Sequence, residues 1–174
     1  MTEEKRKDFE SVISLIQDKK YDEAINILRA YQSSDEENQA YANYLIGYIN
    51  TRWDYKNRKE ESARRYLYLN ICSNFPHPYA YVLYAGVAED KNIAENHLEI
   101  GINRFPKDPR IYNELLRISN DKQKIIKRID DNNFTDGELL GSAISYLVAD
   151  QVWSKVLDFA YKLENGNQLG EYQK

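Results

Sequence analysis

The chain has 174 residues, 42% hydrophobic and 30% charged, with seven Gly and four Pro. Those values exclude collagen-like and disordered classes and lack the turn-residue density of an all-β sandwich, and the length suits one domain with a substantial core. A net charge of −4 and a pI of about 5.3 give no overall field to attract nucleic acid or an anionic membrane.

In chain order, Phe9, Val12, Ile13 and Ile16 carry the i, i+3, i+4, i+7 spacing of an amphipathic helix. Behind the charged start MTEEKRKDFE there is no membrane-length apolar run, so a soluble, cytoplasmic protein without membrane contact is expected. A polar turn at 18–20 precedes a second stripe, Tyr21, Ala24, Ile25 and Leu28. Ser33-Ser34-Asp35 then offers stop-and-cap chemistry before a long helix from about Glu37 to Tyr55. On that helix Ala42, Leu45, Ile46, Ile49 and Trp53 form a core stripe, while Tyr41, Tyr44, Tyr48 and Tyr55 form a second one about 120° away. Two apolar faces on one helix need two things to bury against.

Ala63, Tyr66, Leu67, Asn70 and Ile71 mark the next helix, which ends at Phe75-Pro76-His77-Pro78. The single cysteine, Cys72, falls there and reads as a buried or half-buried small hydrophobe rather than a reactive thiol. Helices over about 79–88 and 93–105 follow. Pro106-Lys107-Asp108-Pro109 then supplies a stop, an N-cap and a proline at the first helical position. Ile111, Leu115 and Ile118 mark one helix, and Ile125, Ile126 and Ile129 a shorter one. Thr135-Asp136-Gly137-Glu138 has the form of a capping box. It opens a helix carrying Leu139, Leu140, Ala143, Ile144, Leu147 and Val148. A last helix covers about 152–163, and residues 165–174 read as a flexible tail. Short connections and no linker make residues 1–174 one all-α domain of about ten helices in antiparallel hairpins.

The hairpins recur at about the 34-residue period of tetratricopeptide repeats, and several positions resemble that family's motif. Ile46-Gly47 and Ala85-Gly86 match its Leu-Gly element. Tyr21-Asp22-Glu23-Ala24 with Leu28, and Ala63 with Leu67, resemble the start of its second helix. Ala94, Leu98, Gly101 and Pro106, followed by Asp108-Pro109, give the fullest match. The likeness covers about residues 5–120. It departs from the pattern at Ser11-Val12, where Leu-Gly is missing, at about four extra residues around Tyr55–Lys59, and in a third pair about four residues short. The half-repeat relatives of RNA-processing scaffolds have similar irregular pairs.

What the resemblance implies is a right-handed α-solenoid of about five hairpins, whose first helices line a concave groove for a peptide or protein. Aligned on Gly47, Gly86 and Pro106, that groove would carry Tyr41, Tyr44 and Tyr48, then Ala80, Leu83 and Val87, then Arg110, Asn113 and Arg117. An aromatic stripe beside two arginines suits a partner with apolar anchors and an acidic group. The family's carboxylate clamp needs Lys and Asn where Tyr44 and Tyr48 stand, so that specificity is not expected here. Packing under a neighbouring helix fits the tyrosine stripe as well.

In the last helix Val152, Trp153, Val156, Leu157, Phe159, Ala160, Tyr161 and Leu163 spread over about 200° of its circumference, where a terminal repeat normally shows a polar face. Trp153, Val156, Phe159 and Ala160 are therefore expected at an interface with a second subunit or a partner, or else beneath the chain's own Leu169 and Tyr172. No catalytic motif, phosphate loop or metal-site spacing is found around His77, His97 or the glycines, and neither enzyme activity nor a cofactor is expected. The basic cluster Arg52, Lys56, Arg58, Lys59, Arg64 and Arg65, interleaved with Tyr55 and Tyr66, has the composition of a single-strand nucleic-acid site. Glu60 and Glu61 offset part of it through i, i+4 pairs with Arg64 and Arg65. A non-catalytic interaction scaffold is the leading reading, and an RNA-associated half-repeat protein the alternative.

Overall fold

In the computed structural model the backbone is described for residues 3–171 and the side chains for residues 9–166. Among these residues the chain is all-helical, with no strand. The ten helices are α1 (Glu3–Gln17), α2 (Tyr21–Ala30), α3 (Glu36–Thr51), α4 (Glu60–Ile71), α5 (Pro78–Val87), α6 (Lys91–Arg104), α7 (Pro109–Ile118), α8 (Lys122–Asp131), α9 (Gly137–Ala149) and α10 (Trp153–Glu171), with a 3-10 turn at Tyr31–Ser33. No helix among the described residues is long and apolar enough to cross a membrane.

The helices gather into two compact units, Met1–Ala94 and Glu95–Lys174, and the division falls inside α6. In the first unit α1 packs on α2, α2 on α3, α3 on α4, and α5 on both α3 and α4. Most positions of the stripes read from the sequence supply its core: Phe9, Val12, Ala24, Leu28, Ala42, Ile46, Ile49, Ala63, Leu67 and Ile71 are buried, whereas Ile13 is exposed. Gly47 sets the approach of α3 to α4, since a β-carbon there would stand 2.6 Å from Leu67 Cγ. Gly86 has open space where its β-carbon would be. Its place in the motif therefore reflects no close helix contact. Asn70, fully buried, donates from Nδ2 to the Ala40 carbonyl (2.8 Å) and accepts the His77 N–H at Oδ1 (2.9 Å). One amide thus ties α4 to α3 and to the entrance of α5.

In the second unit α7 packs on α8 and α9, and α9 on α10. Ile111, Tyr112, Leu115, Leu116, Ile125, Ile126, Ile129, Leu139, Leu140, Ala143, Leu147 and Phe159 are buried there. Four of the helix caps are aspartates: Asp35, Asp108, Asp121 and Asp136 accept backbone N–H groups at the starts of α3, α7, α8 and α9. The capping box expected at Thr135 does not form, and the N-cap is one residue later. Asp136 takes the Leu139 N–H (2.9 Å), and the Glu138 carboxylate accepts from Asn113 (3.0 Å) instead of folding back. Lys122 Nζ donates to the carbonyls of Leu116, Arg117 and Ser119, closing the end of α7.

Four further expectations give way. Helix α3 stops at Thr51, because Arg52 turns to φ −69°, ψ 123°, so Trp53 is no part of the core stripe and is 79% exposed. Tyr55 leaves the tyrosine face for the same reason and is buried against Tyr21, with ring centroids 5.3 Å apart. Cys72 is exposed, since α4 ends at Ile71 and the thiol lies at its C-cap. At the other end, helix α10 runs past the expected stop at Leu163, to Glu171.

Candidate interaction surfaces

The tyrosine face of α3 is continuous. Ring centroids of Tyr41 and Tyr44 are 5.9 Å apart, and those of Tyr44 and Tyr48 6.4 Å. Much of it is already covered from within the first unit. Phe9 of α1 meets Tyr41 edge-on at 4.9 Å, and His77, the N-cap residue of α5, stacks on Tyr44 at 3.8 Å with planes 18° apart. Tyr44 is consequently buried, while Tyr41, Tyr48 and Leu83 are half-buried. Loss of solvent raises the Tyr41 hydroxyl above its ordinary value. Tyr48 accepts a hydrogen bond from Arg52 Nη1 at 3.3 Å.

In the second unit Arg110 and Arg117 are exposed and Asn113 half-buried. Each already has an acidic neighbour. Arg110 is held on the cap residue Asp108, Arg117 on Glu114 (2.6 Å), and Asn113 on Glu138. The hydrogen bond to Glu114, and then its charge, raise the Arg117 guanidinium further. An acidic partner at either arginine would share the guanidinium with a carboxylate already bonded to its Nε and Nη2.

Helix α10 separates the four residues proposed for its interface. Phe159 points inward and is buried, Val156 is half-buried, and Trp153 and Ala160 are at the surface. The outward face continues in two residues outside that set. Trp153, Leu157 and Tyr161 are 58%, 72% and 67% exposed, and their i, i+4, i+8 spacing places them in one row. Exposed Val148 of α9 belongs to the same unit. Lys155 and Lys162 reach Asp130 on α8 (3.7 and 2.5 Å), on the side of α10 away from that row. The hydrogen bond from Lys162 lowers the Asp130 carboxyl against the opposing effect of burial. The spread of apolar residues around α10 signalled two faces, but Val152, Val156 and Ala160 share the i+4 spacing of Trp153, Leu157 and Tyr161, so the sequence did not say which row is the outer one.

The segment between α3 and α4 is a feature that periodicity could not place. Its inner side is a polar network. Asp54 accepts from Tyr21 Oη (2.9 Å) and Arg52 Nε (3.3 Å), and its second oxygen lies 3.3 Å from Lys19 Nζ. Burial pushes this carboxyl up, but the hydrogen bonds from Arg52, Tyr21 and Lys19 outweigh it and bring it down to about 2. Tyr55 Oη donates to Asp22 at 2.7 Å, and burial together with that carboxylate pushes the phenol up to about 12. Asn57 donates to the other Asp22 oxygen (3.1 Å), and the Lys59 N–H donates to buried Asn50 Oδ1 (3.1 Å). Beside this segment a cleft of about 250 Å³ is lined by Asn26, Arg29, Asn57, Lys59, Ser62 and Tyr66, among others.

Among the described residues no group of three or more His, Cys, Asp or Glu stands together as metal ligands would. Compared with known proteins, the chain matches no family model, no curated protein and no solved structure.

Proposed function

We propose that the chain is a non-catalytic scaffold of tetratricopeptide-like helix hairpins that binds another polypeptide, and that α10 is its principal docking face. The observation that carries this is the exposed row Trp153, Leu157 and Tyr161. Large apolar side chains in one contiguous row cost solubility when left in water, and such rows mark interaction sites. An aromatic–aliphatic–aromatic row suits the apolar face of a helix, with Trp and Tyr as anchors. The tyrosine face of α3 is a secondary address, offering the uncovered edges of Tyr41 and Tyr48. A solenoid of about five hairpins is the architecture in which such faces would be presented.

The test compares the wild type with the double variant Trp153→Glu/Leu157→Glu, by light scattering at tens of micromolar and by capture from source lysate. A second copy or a foreign polypeptide should be held by the wild type and lost in the variant, with helicity unchanged. Identical profiles for the two proteins would sink the proposal.

A further inference from the structure

The segment from Arg52 to Lys59 is where the chain departs from repeat spacing, and its two sides differ in chemistry. Inward it turns Asp54 and Tyr55, both hydrogen-bonded to α2, and exposed Asn57 reaches the same helix at Asp22. Backbone bonds add to this: the Tyr55 N–H reaches the Arg52 carbonyl and the Arg58 N–H the Tyr55 carbonyl, both at 3.2 Å. Outward it leaves Trp53, 79% exposed, and the exposed side chains of Lys56, Arg58 and Lys59. None of these three cations makes an ion pair among the described residues, and the one acid of the segment, Asp54, is occupied by Tyr21, Arg52 and Lys19. Glu60, next in sequence, is exposed and lies 3.7 Å from Arg64, and Glu61 beside it is exposed as well. A pinned segment holding an indole in water beside three unengaged cations is built to meet an anion with flat faces.

We infer that this segment, with the cleft beside it, is a contact site for single-stranded nucleic acid. This goes beyond polypeptide binding and involves neither α10 nor the tyrosine face of α3. The Trp53 indole stacks on a base, and stacking is tolerant of sequence because every base has a π-face. Lys56, Arg58 and Lys59 meet phosphates. Asn57 and Lys59 also line the cleft, where Asn26, Arg29, Ser62 and Tyr66 provide donors and acceptors for a base edge or sugar. An anionic bilayer fits these observations less well. Trp53 is the one exposed large apolar residue of the segment, so little could enter the acyl boundary. Local charge, and not the net −4 of the chain, decides the contact.

The experiment is fluorescence anisotropy of a labelled twelve-nucleotide oligouridine titrated with the full chain at low salt. Co-sedimentation with phosphatidylserine vesicles and binding of labelled polyglutamate are the parallel arms. Saturable oligouridine binding is expected, weakened about tenfold or more by Trp53→Ala, given the usual worth of base stacking. Lys56→Glu/Arg58→Glu should abolish it, and three phosphate contacts predict a log–log salt slope of about −2. Trp153→Ala should leave it unchanged. Trp53 is too exposed for its removal to unfold the protein, and circular dichroism checks this. Absence of binding at low salt would overturn the inference. So would binding indifferent to Trp53→Ala, or vesicles or polyglutamate binding more tightly than the oligonucleotide.

Discussion

A β-carbon on Gly47 would meet Leu67 Cγ at 2.6 Å and the Leu67 backbone nitrogen at 3.1 Å, so one methyl group cannot be added without parting α3 from α4. Gly47→Ala should therefore destabilise the protein by about 1–3 kcal/mol, the usual cost of overpacking a core. Gly86→Ala should instead be neutral or stabilising by up to about 1 kcal/mol, because the space is open and alanine favours the helix. Thermal melts of the two variants check both signs. The two glycines look alike in sequence, each following an apolar residue in the first helix of a pair. What separates them is the residue across the gap, and a single chain's periodicity does not report that. Asn70 is a similar case. Its helical spacing marked it as inward-facing, yet the reason for an amide there, bonds to Ala40 and His77, depends on two other elements.

Where a stretch of α-helix was followed by proline or by an acidic cap, the sequence marked its ends well, as at Asp35 and at Asp108-Pro109. Helix α3 lacks such a stop. Trp53 and Tyr55 continue its helical spacing, and what ends the helix comes from residues about 33 positions earlier: Tyr21 bonding Asp54 and Asp22 bonding Tyr55. The pH dependence of these bonds is a direct test. The carboxyl of Asp54 lies at about 2 in the folded protein against an ordinary 3.8, so it contributes stability above about pH 4 that is lost as pH falls toward 2. Tyr55 has the opposite sign: raised to about 12, its neutral form favours folding below pH 10, and the contribution disappears as pH rises toward 12. Denaturant melts should show Asp54→Asn less stable than the wild type at pH 5, with the gap narrowing by pH 2. A gap constant with pH would contradict this account. On α10 the sequence revealed too much apolar surface for one face. Which residues point outward depends on what the helix packs against: Phe159 is buried and α10 lies along α9, with Lys155 and Lys162 near Asp130 of α8.

For the molecule as a whole, composition and periodicity gave the all-helical class and most buried positions, since each helix must put an apolar stripe against something. The division into Met1–Ala94 and Glu95–Lys174 was not visible, because no linker or change of composition marks it within α6. Both tryptophans of the chain, one in each unit, stand mostly in water at 79% and 58% exposure. Their emission in the folded state should therefore already be red-shifted and open to iodide quenching, so it should change little across a melt that backbone ellipticity records as complete. A large blue shift on folding would mean that the indoles are sheltered. The two indoles that are poor reporters of folding are, for the same reason, ready-made optical reporters of whatever settles on either surface.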